Sequence, residues 1–355
     1  MKKNRHLEIL VLNSGSSSIK YQLFLMPQEK ILDKGSIDNI GESGSKIKNH
    51  QQALMMILSK ISHIDAVGHR VVHGADRFKA PVRINSSVIK KIKQCIRLAP
   101  LHNPANLAGI TCCTRMLKNI PQVAVFDTAF HQTMPRHAYM YGLPYRFYKR
   151  HHVRRYGFHG TSHEFVSEEA AKRLKRPLKK LRLITCHLGS GCSMSAVRFG
   201  RCVDTSMGLT PLEGLLMGTR TGDMDPAIVT FLQKHLDISP TKMDEILNRE
   251  SGLKGVTGIS NDMRKITAAS RSNARARLAL EMFIYRIRKY IGSYISVLGG
   301  ADAVIFTAGI SEHQPRILKR INQGLFVHLK KKPKILIIPT DEERMIARQT
   351  YALIA

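Results

Sequence analysis

Residues Ile184 to Asp225 read I-T-C-H-L-G-S-G-C-S-M-S-A-V and then, from Asp204, D-T-S-M-G-L-T-P-L-E-G-L-L-M-G-T-R-T-G-D-M-D. An apolar run breaks at Gly189-Ser190-Gly191 and resumes as alternating apolar and small residues, so the stretch predicts a strand, a tight turn and a second strand. Glycines in such a turn let backbone amides approach a phosphate. Further on, Arg220 stands between Gly218 and Gly222 beside acids. Alone this is an ordinary hairpin followed by an ordinary loop. Its weight comes from repetition, because two further strand-to-glycine junctions occur in the chain.

The first lies near the start. Glu8–Asn13 predicts a strand, Ser14–Ser18 a hydroxyl-rich turn, and Ile19–Leu25 a second strand by strict alternation, with Lys20 close to the turn. An Asn, small hydroxyls, exposed amides and a Lys suit a phosphate–metal cluster; a surface hairpin is the plain alternative. The other junction is Asp302–Thr307, a buried strand running into Gly309-Ile310-Ser311-Glu312. The hairpins at Ile9–Leu25 and Leu183–Val197 hold equivalent places in the two halves. This points to an internal duplication: two similar α/β lobes, each with a phosphate-gripping hairpin, facing across a cleft.

Other segments add chemistry. Asp65–Val72 predicts a strand with Arg70 among apolar residues, where it requires an anion. A structural ion pair and a phosphate or carboxylate ligand fit equally. Val123–Phe126 predicts a buried strand ending in Asp127, and α/β folds place chemistry at the carboxyl ends of parallel strands. His159 precedes a helix running to about Leu174 that Thr161 or Ser162 is suited to cap, a good place for an anion, although a lone histidine is more often structural. Tyr139–Tyr156 reads as an interdomain loop. Helices are expected over Gln51–Ile61, Ser86–Leu98, Asn103–Leu117, Asp225–Leu236, Thr241–Leu247 and Ala274–Val297. The last would bury Leu278, Met282, Ile284 or Tyr285, Ile287 and Ile291, as a core or dimer helix. Pro339–Glu343 reads as the cap of a final helix over Arg344–Leu353.

The 355 residues, 43% of them hydrophobic, support a large core and two domains. The expected division is 1–127 and 128–344, with about 345–355 packing back on the first lobe. No apolar run is long enough to span a bilayer, and the basic start followed by Leu7–Leu12 reads as a first strand, not a signal peptide. Six cysteines without a C-x-x-C pair indicate neither a disulfide framework nor a zinc knuckle; buried thiols in a reducing cytoplasm fit. The chain carries 56 Lys and Arg against 26 Asp and Glu, net +30, densest in Arg146–Arg182 and Arg316–Lys334. This field attracts anionic substrates; a solvated basic surface fits it better than a specific nucleic-acid site. No G-x-x-x-x-G-K-[ST], protein-kinase signature set or G-x-S-x-G elbow is present. Two phosphate hairpins, Arg70, Arg220, His159, Asp127 and Glu342 suit phosphoryl transfer, which requires positioning and charge neutralisation above all.

The strings V-L-N-S-G-S-S-S-I-K, G-H-R-V-V-H-G, L-H-N-P-A-N, V-F-D-T-A-F-H, Y-G-F-H-G-T-S-H, H-L-G-S-G-C-S, M-G-T-R-T-G-D-M-D-P, N-D-M-R, F-T-A-G-I-S-E and I-P-T-D-E-E span nearly the whole chain. In their order they resemble the acetate kinase family, of the acetate and sugar kinase/Hsp70/actin superfamily. The resemblance implies two duplicated ribonuclease-H-like lobes (the actin-like ATPase fold) and a homodimer joined through the C-terminal lobe. It implies a cytoplasmic kinase that phosphorylates acetate from ATP by direct in-line transfer and depends on Mg2+, with Mn2+ as the alternative ion. Asn13 and Glu342 would hold the metal, with Ser16, Ser18 and Lys20 near the phosphates. Arg70 and Arg220 would clamp the carboxylate and the transferring group. His159 would donate to its equatorial oxygens, and Asp127 would orient an arginine or the metal's water. Val72, Leu101, Phe158 and Pro211 would line the acyl pocket. His187, Leu188, Gly189, Ser190, Gly191, Asp262, Met263, Arg264, Gly309, Ile310, Ser311, Glu312 and His313 would surround ATP.

The chain departs from the family pattern at Ser190, where the family has Asn in H-L-G-N-G, and at Gly309–His313, where it has G-I-G-E-N. It also reads as shortened after Met26 and after His313. Propionate is the alternative acceptor. A family member kept as an anion- or RNA-binding protein is the alternative of another class.

Overall fold

The computed structural model describes residues 5–100 and 102–355. Its contacts fall into two compact units. The first comprises the chain up to Gln132 together with Phe158–Phe165 and Asp341–Ala355; the second comprises Thr133–Gly157 and Val166–Thr340.

The first unit is built on β1 (Leu7–Ser14), β2 (Ile19–Met26), β3 (Lys30–Ile37), β4 (Ala66–Val71), β5 (Val82–Arg83) and β6 (Gln122–Phe126), in the sheet order β3-β2-β1-β4-β6-β5. β1, β2 and β3 form an antiparallel meander, while β4 runs parallel to β1 and β6 parallel to β4. β1 reads as a continuous apolar run because both faces of the sheet are covered. Leu10 and Leu12 pack with Leu54, Ile57 and Cys113 of the helices His50–Leu58 and Asn103–Met116. Ile9 and Val11 face the other way, onto Ile346 and Ala347 of the helix Glu342–Ile354. That helix lies close to β4 because residue 68 is glycine: a Cβ there would sit 2.5 Å from Thr350 Oγ1. Alternation then places Arg70 on the same face as Ala66 and Gly68, the face whose covering helix begins at Glu342.

The second unit repeats the plan with β7 (Arg182–Leu188), β8 (Cys192–Arg198), β9 (Arg201–Thr205), β10 (Ala303–Thr307) and β11 (Lys334–Ile337), ordered β11-β10-β7-β8-β9. β7, β8 and β9 are antiparallel, and β10 runs parallel to both β7 and β11. β7 to β11 thus stand where β1, β2, β3, β4 and β6 stand in the first unit. A register shift falls late in the second strand of each meander, at Leu23/Phe24 and at Ala196/Val197. The duplicated ribonuclease-H-like architecture expected from the sequence is present.

Several local expectations change. The stretch expected as an interdomain loop contains the helices Arg136–Tyr139 and Tyr145–His151; arginines stacked on tyrosine rings, such as Arg154 3.6 Å from the centroid of Tyr139, order it. The helix Ala274–Leu298 buries Leu280, Phe283, Ile284, Ile287 and Ile291, but Leu278 and Tyr285 face outward at 50% and 62% exposure. All six cysteines are free thiols, and burial raises the pKa of each, Cys95 to about 11 and Cys192 to about 12. Among the described residues no helix is long and apolar enough to cross a membrane.

Candidate active site

In the first unit the carboxyl ends of β4 and β6 and the start of the last helix converge. Arg70 donates from Nε to both oxygens of Asp127 at 3.1 Å and from a terminal nitrogen to Asp127 Oδ2 at 2.7 Å. The same nitrogen lies 3.2 Å from Glu342 Oε2. This is the fork geometry that fixes a guanidinium in a plane. Thr161 Oγ1 links the two acids, donating to Asp127 Oδ1 at 3.4 Å or Glu342 Oε2 at 3.3 Å. Its hydroxyl therefore serves this cluster, whereas the sequence suggested a helix cap. Gly160 makes the approach possible: its amide donates to Asp127 O at 3.0 Å, and a Cβ there would lie 2.0 Å from that oxygen.

Burial raises the Asp127 pKa and Glu342 pushes the same way, while Arg70 opposes both. Burial pulls the Arg70 pKa down, but Asp127 and Glu342 outweigh it and the net shift is upward. Arg70 is thus a fixed cation. Glu343 is raised by burial and by its neighbour Glu342, with Asn13 hydrogen bonded to it. Asn13 pairs with Lys20 across the first hairpin, whose turn closes through Gly15 N to Ser18 O at 2.7 Å and includes Ser16.

Two asparagines tie this corner together. Asn106 accepts from Val72 N at 3.0 Å and donates to Ser14 O at 2.7 Å, joining the ends of β1 and β4. Asn103 accepts from His73 N and donates to His73 O. His73 in turn lies edge-on to Phe158, ring centroids 5.5 Å apart. Phe158 is buried and Val72 half-buried. Leu101, expected in the same apolar wall, lies outside the described residues. His159 is half-buried and holds φ 57°, a left-handed backbone unusual for a side-chain-bearing residue, immediately before the helix Gly160–Leu174.

The second unit holds the other expected residues. Arg220 donates to Pro211 O at 3.0 Å and approaches Met217 Sδ at 3.8 Å. Among the described residues it is in no ion pair, and burial pulls its pKa down. In the same unit is a cavity of about 610 Å3 lined by Gly189, Ser190, Asp262, Met263, Arg264, Gly309, Ile310 and His313, joined by Asn261 and Gln314. This volume suits a nucleotide-sized ligand. His187, Leu188 and Ser311 are buried and, like Gly191 and Glu312, do not line it. Gly189 N donates to Gly191 O at 3.1 Å, closing the second hairpin's turn. Asp262 caps the helix Met263–Ala269 through Arg264 N, and the Arg264 guanidinium folds back onto the same carboxylate, holding Asp262 down at about 2. Asn261, Gln314, Thr161, Asn106 and Glu343 were not assigned site roles from sequence. Asn106 and Thr161 carry signals only in retrospect, as polar residues beside a proline break and a glycine.

Two sheets of one strand order, one ending in an arginine–carboxylate cluster and the other beside a nucleotide-sized cavity, place the chain in the actin-like class of phosphotransferase folds. Residues 8–328 match the Acetokinase family. An acetate kinase from Halothermothrix orenii is 47% identical over 396 aligned residues, covering 98% of this chain and 100% of its own. That alignment is longer than the chain, so the chain lacks segments its relative has. The crystal structure of Porphyromonas gingivalis acetate kinase superposes with TM-score 0.93 at 40% identity, covering 98% of this chain and 100% of its own. A propionate kinase from Francisella tularensis matches with the same TM-score, identity and coverage. The chain belongs to the acetokinase family.

Proposed function

We propose that this chain is an ATP-dependent carboxylate kinase acting on acetate by direct in-line transfer. A carboxylate oxygen of the acceptor attacks the γ-phosphorus, the bond from that phosphorus to the β,γ-bridging oxygen breaks, and acyl phosphate and ADP leave; the reverse step regenerates ATP. The observation that carries the reading is the arginine pair. Arg70 is held rigid by Asp127, while Arg220 is half-buried with no carboxylate partner among the described residues. A half-buried cation of this kind awaits an anion.

In this reading Arg70 orients the acceptor carboxylate, and Asp127 is a positioning residue that fixes its guanidinium. Arg220 and His159 neutralise the equatorial oxygens of the moving phosphoryl group. Val72, Leu101, Phe158 and Pro211 are assigned to the acyl methyl by the family resemblance. Ser16, Ser18 and Lys20 receive phosphates, and the cavity beside Gly189 and Gly309 receives the nucleoside.

The donor set also bears on the metal. Among the described residues no group of three His, Cys, Asp or Glu side chains is arranged to hold an ion. Mg2+ needs fewer, since it keeps several waters and takes phosphate oxygens. Glu342 and Asn13 offer hard oxygen donors, and Glu343 beside them is raised by burial first and by Glu342 second. These residues fit Mg2+ or Mn2+. When bound, the ion supplies charge neutralisation for the donor phosphates.

We also propose a cytoplasmic homodimer formed through the second unit. Exposed Leu278 and Tyr285, two turns apart on one helix, and exposed Phe231 and Leu236 support that choice.

The test is acyl phosphate formation, trapped with hydroxylamine, from ATP with acetate, propionate and butyrate. Turnover is expected to be highest with acetate; no product with any of the three sinks the proposal. Propionate is the second reading, favoured by the equal match to a propionate kinase. One methylene discriminates by only about 1–3 kcal/mol, so kcat/KM ratios decide between them.

A further inference from the structure

Beside the nucleotide-sized cavity, in the same unit, lies a second cavity of about 500 Å3. Four arginines line it, Arg264, Arg271, Arg316 and Arg320, and none of its lining residues is acidic. Arg264 is matched by Asp262, but Arg271, Arg316 and Arg320 are in no ion pair among the described residues. Arg316 and Arg320 stand one turn apart on the helix Pro315–Asn322, a like-charge spacing that is unfavourable without a counterion. The helix is held in place from its other end, where the Arg288 guanidinium donates to Arg320 O, Ile321 O and Gln323 O at 3.2, 2.9 and 2.6 Å. A second observation points to a ligand. Thr267, which lines the cavity, has a buried Oγ1 with no hydrogen-bond partner among the described residues. The two cavities share Arg264 and Gln314 as a common wall.

We infer that this cavity binds a compact oligophosphate, two or more phosphate groups close together, through Arg271, Arg316 and Arg320. Guanidinium forks match phosphate oxygens in pairs, and one phosphate is too few for three unmatched arginines. The volume suits a small ligand, not a polymer. The phosphates arrive either free or carried on a nucleotide that reaches over the shared wall. Nothing in this inference depends on the phosphoryl-transfer reading, and binding is its readout.

The experiment is isothermal titration of the full chain with inorganic tripolyphosphate, adenosine 3′,5′-bisphosphate and AMP, using wild type, R316A/R320A and R271A. Tripolyphosphate is expected to bind one to one, and R316A/R320A to weaken it by at least about tenfold. Helical circular dichroism and ATP-dependent acyl phosphate formation are expected to stay unchanged. If the double variant does not fold, R271A, outside the helix Pro315–Asn322, reads the same loss. An advantage of the bisphosphate over AMP that disappears in the variants assigns the phosphates to a nucleotide; a loss seen with tripolyphosphate alone assigns them to a free ligand. Failure of all three compounds to bind, or affinities indifferent to the variants, overturns the inference. So does tight binding of a single-stranded RNA that the same variants abolish while tripolyphosphate does not bind, which would make the arginines a nucleic-acid surface.

Discussion

Arg70 and Arg220 are the same residue held in opposite ways. Arg70 stands on a strand, forked onto Asp127 and touching Glu342, with only 18% of its side chain exposed. Arg220 stands in a loop, and its guanidinium rests on the carbonyl of Pro211. The first arginine is a positioned cation whose charge is already answered. The second keeps a charge that no described residue answers, which is what a developing anion requires. The two hairpins differ in the same direction: four hydroxyl-bearing or glycine residues turn the first, and three residues with two glycines turn the second.

The contrast can be broken. Arg220→Ala is expected to lower kcat by about 10²–10³ with a much smaller rise in the KM for ATP, since its charge counts mainly in the transition state. Steady-state kinetics check this, and unchanged turnover removes Arg220 from the chemistry. Asp127→Asn leaves Arg70 partly uncompensated in a buried setting. Chemical denaturation is expected to register a loss of about 3 kcal/mol, with the KM for the carboxylate rising because Arg70 is no longer held flat. Equal kcat losses with no stability change in this variant would erase the distinction between the arginines. Asn106→Ala deprives Val72 N and Ser14 O of their partner, and a loss of about 1–3 kcal/mol is expected from the same measurement.

The last effect concerns acid. Burial holds His69 and His131 of the first unit at about 4, although Gln122 and the Phe158 carbonyl each favour the charged ring. These histidines are depressed bases. The unfolded chain protonates them below about 6.5 and the folded chain only near 4, so stability is complete above about 6.5 and falls as pH drops between the two values. The slope is up to about 1.4 kcal/mol per pH unit for each histidine. Amide exchange in β4 and β6 should rise over that window before exchange in β7 and β10 does; simultaneous opening would deny the first unit its own acid sensitivity.

Much of this was legible in the chain because strand alternation and glycine breaks are local signals. β1, β2, β4, β6, β7, β8 and β10 follow from apolar runs, and the final helix from Asp341 as its cap, starting at Glu342, two residues before the Arg344 expected. β5 and β9 were not legible: two residues carry no period, and β9 alternates too weakly around Arg201 and Asp204. The short helices Gly252–Thr257 and Pro315–Asn322 were likewise missed, the first closing on Gly258 and the second starting at a proline. The site divides in the same way. Arg70, Asp127 and Glu342 were conspicuous as charges at strand or helix ends. Thr161 was not, because its partners lie 34 and 181 residues away in the chain and no spacing announces them.

The helix Glu342–Ile354 closes one face of the first sheet and carries the acid that meets Arg70. A ribosome therefore makes β1 more than 300 residues before the element that shields it. Until that helix emerges, Ile9, Val11 and Phe24 lack their cover, so the nascent first unit stays exposed while the second can already close.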